Sequence, residues 1–231
     1  LIITCLSFYF LPEAVLNRNI ISGTVPRLDM HDSIQRALQY MADFHIAHMP
    51  VVKGDKLAGT VSEEDLMDVN DENSPVSRLQ ESFSFVSVQG NLHIFETLRI
   101  MVEKNLSTIA VTEADGVFLG TITGNDLLHQ IARYTGVGEK GGLIVLSMDR
   151  HDYSFSQLGR LVETNDAFIT QLNTSTDSLT GEFLVLIKVN KFEISDIVAT
   201  FQRFEYNVKY YCGDELYVNE LKDNYDHLMN Y

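Results

Sequence analysis

The chain has 231 residues and a mass of 26.1 kDa, with 45% apolar and 21% charged side chains, enough to bury the cores of one or two domains and too apolar for a disordered or fibrous chain. Its 17 Lys+Arg against 32 Asp+Glu give a formal charge of -15 and a pI near 4.7, which opposes a phosphate-tracking surface and removes nucleic acid from the expected partners. No apolar run is long enough for a bilayer, and Cys5 and Cys212 suit neither a disulfide framework nor a zinc cluster, so the expectation is a cytoplasmic protein with no membrane partner and reduced thiols.

Residues 1–20 carry Phe8, Tyr9, Phe10 and Leu11, match nothing further along and are left unassigned, with neither a basic leader nor a small-residue cleavage site at the start. From Ile21 the chain repeats itself. Leu57-Ala58-Gly59-Thr60-Val61-Ser62-Glu63-Glu64-Asp65-Leu66 returns as Phe118-Leu119-Gly120-Thr121-Ile122-Thr123-Gly124-Asn125-Asp126-Leu127, an offset of 61. Upstream, Ile34, Leu38 and Met41 match Ile94, Leu98 and Met101 at an offset of 60, so one residue is inserted in the intervening turn. In each copy these apolar residues keep helical spacing and lead into a short β run, a polar turn, a second β run and a new helix start. The β runs are Met49–Val52 and Leu57–Val61 in the first copy, and Ile109–Thr112 and Val117–Ile122 in the second. Asp32 and Asn91 are the expected caps of the two leading helices. The unit is a β-α-β-β-α repeat over residues 21–76 and again over 77–137. Two such units should pack as a pseudo-twofold pair, because so small a sheet alone leaves an apolar face uncovered.

The blocks His48-Met49-Pro50-Val51-Val52 and Gly59-x-Val61-Ser62-x-x-Asp65-Leu66 resemble a cystathionine-β-synthase-type (CBS) domain. Ser107-Thr108-Ile109-Ala110-Val111 with Gly120-x-Ile122-Thr123-x-x-Asp126-Leu127 resembles it again, with Ala110 where the family usually has proline. The resemblance implies a Bateman module, a non-catalytic regulatory pair that binds an adenosine nucleotide between its copies. AMP, ADP, ATP and S-adenosylmethionine are the implied ligands, and no cofactor is required. It further implies that Ser62 with Asp65, and Thr123 with Asp126, hold ribose hydroxyls, and His48 and Thr108, at the heads of the adjacent β runs, are counted with them as candidate nucleotide-binding residues. Val25, Met49, Val86 and Ile109 are the apolar residues that could enclose an adenine, or could be plain core.

A carboxylate at a helix start can accept two hydroxyl bonds, so the assignment is chemically sensible. The same spacing is equally a capping box that needs no ligand. The first copy surrounds Asp65 with Glu63, Glu64, Asp68, Asp71 and Glu72, which repels phosphates unless Arg27, His31, His45, His48 or Lys53 lies close. That acidic run reads as a solvated face ending at Asn73-Ser74-Pro75, or as a weak divalent-cation surface. His45 and His48, three apart, could share a metal if helical, yet no third ligand is spaced with them.

Residues 138–142, with three glycines, read as a linker. A new pattern follows: a strand at Leu143–Met148, a helix through Phe155, Leu158, Leu161 and Val162, strands at Ala167–Leu172 and Phe183–Val189 around a turn at Asn173–Gly181, a helix through Ile194, Ile197, Val198 and Phe201, and a strand at Val208–Cys212. This order over 143–213 resembles a ferredoxin-like ACT domain, which implies edge-to-edge dimerisation. The glycine usual in the effector loop is missing from Asp149–Ser154, where Ser154 reads as a helix cap. Residues 214–231 carry Leu221, Tyr225 and Leu228 on one helical face and read as a docking tail. The fold class is therefore α+β, a CBS pair followed by a ferredoxin-like ACT-type domain, and this architecture resembles the acetoin-utilisation B-type proteins.

No nucleophile elbow, P-loop, dinucleotide fingerprint or metal triad is present at a recognisable spacing, so the expected activity is not enzymatic. The main expectation is a homodimeric nucleotide sensor that signals to a protein partner. The alternative is an interaction scaffold with degenerate sites, responsive to divalent cations or to amino acids.

Overall fold

A computed structural model describes residues 16–213. Phe8–Leu11 and the docking tail expected over 214–231 lie outside the described residues. The chain divides into two compact units between Tyr134 and Thr135.

The first unit holds two three-stranded sheets. In one, β1 (Leu28–Asp29) runs parallel to β2 (His48–Lys53), which pairs antiparallel with β3 (Lys56–Ser62). Helix α1 (Ile34–Phe44) joins β1 to β2, and the short α2 (Glu63–Met67) follows β3. The other sheet repeats this plan with β4 (Ser87–Gln89), α3 (Ile94–Glu103), β5 (Thr108–Thr112), β6 (Phe118–Thr123) and α4 (Gly124–Tyr134). Alternation along the strands fixes which side chains meet the helices. Met49, Val51 and Val61 join Ile34, Met41 and Leu66 in one core, and Ile109, Val111 and Ile122 join Ile94, Met101 and Leu127 in the other. The intervening Pro50, Val52, Thr60, Ala110 and Thr121 are buried on the opposite sheet faces, and β2 lies against β5 where the two copies meet.

The helix caps differ from expectation. Ser33, one residue after Asp32, caps α1 by accepting from the Arg36 N–H at 3.2 Å. Asp32 instead accepts the Asp29 N–H at 2.8 Å and pairs with Arg36 at 3.0 Å, a turn that leaves its carboxylate outside the helix end. In the second copy His93, two residues after Asn91, caps α3 through Nδ1 and the Phe95 N–H at 3.1 Å.

The segment leading each copy is laid on the other copy. Ser22 N–H donates to the Thr121 carbonyl at 2.8 Å, which seats Ile21 on Gly120. Buried Asn17 donates to the Gln89 carbonyl at 2.9 Å and accepts from Thr97 Oγ1 at 2.7 Å, so part of the unassigned stretch is bound into the second copy. Reciprocally, Ser84 and Thr60 exchange backbone bonds at 2.8 and 2.9 Å and Phe83 lies on Gly59. Both glycines have positive φ, +147° and +154°, and a Cβ there would come within 2.6 Å of Phe83 Cβ or 2.3 Å of Ile21 Cγ2. Close approach, not turning, is what these glycines provide.

The second unit is a four-stranded antiparallel sheet in the order β10-β7-β9-β8, built from β7 (Leu143–Met148), β8 (Ile169–Thr176), β9 (Phe183–Val189) and β10 (Asn207–Cys212). With α5 (Phe155–Glu163) and α6 (Ser195–Arg203) as the connections, this is the ferredoxin-like plan. Ile144, Leu146, Val185 and Ile187 pack with Leu158, Val162, Ile197 and Phe201 in one core. β8 starts two residues later than expected and continues to Thr176, because β9 is long enough to pair it down to Thr176–Phe183. The expected turn therefore contracts around Asp177, whose carboxylate accepts from the Leu179 and Thr180 amides at 2.8 and 2.9 Å. Ser154 caps α5, accepting from the Gln157 N–H at 3.4 Å. The end of the glycine-rich stretch is pinned: Gly142 donates to the Lys191 carbonyl at 2.8 Å and accepts from the Val189 N–H at 3.0 Å.

Candidate functional site

Each Ser/Thr-x-x-Asp motif sits where a strand turns into a helix. Ser62 Oγ accepts from the Asp65 N–H at 3.1 Å and donates to Asp65 Oδ2 at 2.5 Å. Thr123 makes the same two bonds to Asp126, at 3.1 and 2.6 Å, and its own N–H donates to Asp126 Oδ2 at 2.9 Å. The second motif is thus a complete reciprocal capping box, whereas the first lacks the bond from the leading N–H among the described residues. In both motifs the cap engages Oδ2, and Oδ1 has no hydrogen-bond partner among the described residues. The cap and a second acceptor role are therefore compatible in one carboxylate.

The strand register gathers the remaining candidates. His48 stands opposite Ser62, and Thr108 opposite Thr123. These heads of β2 and β5 also tie the copies together. Ala47 N–H donates to Ser107 Oγ at 2.9 Å, and Thr108 Oγ1 donates to the His48 carbonyl at 2.7 Å. Ser107 N–H donates to His48 Nδ1 at 3.3 Å, and Ser107 Oγ lies 3.1 Å from the same nitrogen. An Nδ1 that accepts leaves the neutral ring with its proton on Nε2. Burial lowers the pKa of His48, and the nearby Asp65 charge opposes that shift. Ser107 was not anticipated from the sequence; the signal was its equivalence to Ala47 at the offset of 60.

Three of the apolar or hydroxyl candidates are closed off. Met49 and Ile109 are 0% and 1% exposed on the helix-facing side of their strands, so they are core residues and do not line the cleft. Thr108 is buried as well, with its hydroxyl committed to His48. Val25 and Val86 are half-buried just ahead of β1 and β4, with one flank against each core. His45 ends α1 in a left-handed conformation, φ 52°, while His48 is in β2 and bonded to Ser107, so the two do not share a helical face. The electrostatics of the two helix starts differ: α2 places Glu63, Glu64 and Asp65 in its first turn, whereas α4 has Asp126 alone after Gly124 and Asn125. Of the bases considered for the first copy, His48 has the Asp65 carboxylate as a charged neighbour.

Comparison with known proteins places this arrangement. The CBS domain family model matches residues 17–72 and 80–133. An inosine-5'-monophosphate dehydrogenase of Thermoplasma acidophilum is 30% identical over 109 residues, 47% of this chain, and the chain spans only 22% of that enzyme's length. Among solved structures, a CBS domain pair/ACT domain protein of Thermotoga maritima is 17% identical over 52% of this chain and 98% of its own, with a TM-score of 0.46. An acetoin utilization protein (AcuB) of Vibrio cholerae is 19% identical over 54% of this chain and 95% of its own, with a TM-score of 0.45.

Proposed function

We propose, from the match of residues 17–72 and 80–133 to the CBS domain family model, that the chain is a non-catalytic regulatory sensor for an adenosine-containing nucleotide held at the junction of the two copies. The observation that carries this reading is that Oδ1 of Asp65 and of Asp126 has no hydrogen-bond partner among the described residues, at the helix starts that follow the strands paired with β2 and β5. A ribose diol needs such an acceptor, and Val25 and Val86, half-buried against the two cores, are the candidate apolar surface for the base. The second motif is the better anion site, since α4 begins with one carboxylate where α2 begins with three. A ligand touching both copies would change how they sit against each other, and this change is the signal passed to a protein partner through a homodimer in the cytoplasm.

The test is a thermal-shift screen of the whole chain with AMP, ADP, ATP and S-adenosylmethionine, followed by calorimetry. A ligand at a hundred times its Kd stabilises by about 2.7 kcal/mol. The expected result is a shift with one of them that is lost in Asp126→Ala and reduced in Asp126→Asn, which keeps an acceptor for the cap. Unchanged affinity in Asp126→Ala overturns the assignment. If no nucleotide shifts the melt but Mg²⁺ or Ca²⁺ does, the acidic start of α2 is the responsive feature and the second reading, a cation-responsive scaffold, takes over.

A further inference from the structure

In the second unit, a groove of about 560 Å³ runs along α5 to the end of α6. Gln157 and Arg160 on α5 and its C-cap Thr164 are spaced three and four apart along one helical face, and Arg203 with the C-cap Phe204 closes the groove from the end of α6. Leu161 is also in the lining and is nearly buried. In a chain with an excess of 15 acidic groups, no carboxylate among the described residues lines this groove. Neither guanidinium belongs to an ion pair among the described residues, whereas Arg36 and Arg99 are each paired with neighbouring acids. Thr164 returns its hydroxyl to the Leu161 carbonyl at 2.8 Å and Ser154 caps the helix, so the two arginines are the cationic donors left available. Phe204, 51% exposed, offers an aromatic surface beside them, and Arg203 already lies 5.7 Å over its ring.

We propose that the α5–α6 groove binds a small organic anion, its carboxylate or phosphate held between Arg160 and Arg203 and its apolar body on Leu161 and Phe204. Two forked donors facing one anion give charge-assisted bonds, and the apolar floor excludes a bare hydrated ion as the preferred occupant. This proposal is independent of the nucleotide reading, because none of its residues belongs to the first unit.

The experiment labels arginine with ¹⁵N in the whole chain and follows the side-chain Nε–H signals at constant ionic strength. The probes are benzoate, phenyl phosphate, inorganic phosphate and neutral benzyl alcohol. Saturable shifts of Arg160 and Arg203 with benzoate or phenyl phosphate, at least tenfold tighter than with inorganic phosphate and absent with benzyl alcohol, are expected. Affinity should fall at least tenfold in Arg160→Gln/Arg203→Gln and persist in Asp126→Ala, which separates this site from the CBS pair. The single variants Arg160→Gln and Arg203→Gln, each weakened by threefold or more, serve if the double variant melts early. No saturable shift, equal binding of benzyl alcohol, or full affinity in the arginine variants overturns the proposal.

Discussion

Thr60 and Thr121 occupy equivalent places in the two copies, 5% and 1% exposed, and neither hydroxyl finds a partner among the described residues. A buried hydroxyl without a partner costs more than a methyl group in its place, so the isosteric Thr60→Val and Thr121→Val should each stabilise by about 1 kcal/mol in urea unfolding. His48 acts with opposite sign as pH falls. Its neutral ring accepts from Ser107, and its folded pKa lies below the unfolded value. Stability from this residue is therefore complete above the unfolded His range and is lost as pH drops through the lowered folded value, because the unfolded chain takes up the proton first. The groups facing it are Asp65, which softens the shift, together with the uncharged Ser62 and Ser107. His48→Asn, which keeps an acceptor near Nδ1 but does not titrate, should flatten the slope of urea midpoint against pH between about 5 and 7.

At the level of elements, the repeat was readable because both copies use the same alternation, with Met49, Val51 and Val61 answered by Ile109, Val111 and Ile122. The ends of elements were less readable. Asp32, Ser33, Asn91 and His93 are all competent to cap, and the sequence holds no term for the turn that draws Asp32 back to Asp29. Ser33→Ala should therefore cost about 1 kcal/mol, while Asn91→Ala should stay within about 0.5 kcal/mol, as read from chemical denaturation. The exchange of leading segments was invisible for a related reason: Ile21 and Phe83 are equivalent only by their places on Gly120 and Gly59, and nothing in their own residue types repeats. The glycines themselves were part of the visible motif, yet their task emerged only with the partner segment in place. Gly120→Ala should destabilise by about 1–3 kcal/mol, more than the loss of chain flexibility alone explains, because Ile21 must move. The capping roles of Ser62 with Asp65 and of Thr123 with Asp126 were legible from spacing, whereas the inward turn of Met49 and Ile109 needed the strand register.

For the whole molecule, the two compact units have separate cores, so calorimetry should resolve two transitions instead of one. A nucleotide bound at the CBS junction should raise only the transition belonging to the first unit, and an anion in the α5–α6 groove only the other. One event that moves both transitions equally would show that the units are energetically coupled. Within the first unit, the bonds that fasten Asn17 join it to Gln89 and Thr97, 72 and 80 positions away. During synthesis this has a temporal meaning. The first copy emerges from the ribosome with Gly59 bare until Phe83 follows, and Ile21 waits until Gly120 has cleared the exit tunnel. At roughly 5–20 residues per second, the segment around Ile21 is held unpaired for several seconds before its receptor exists. Folding of the pair is therefore gated by its last strand, and a ribosome stalled before residue 120 should present a nascent chain that proteases cut near Ile21 long after α1 has formed.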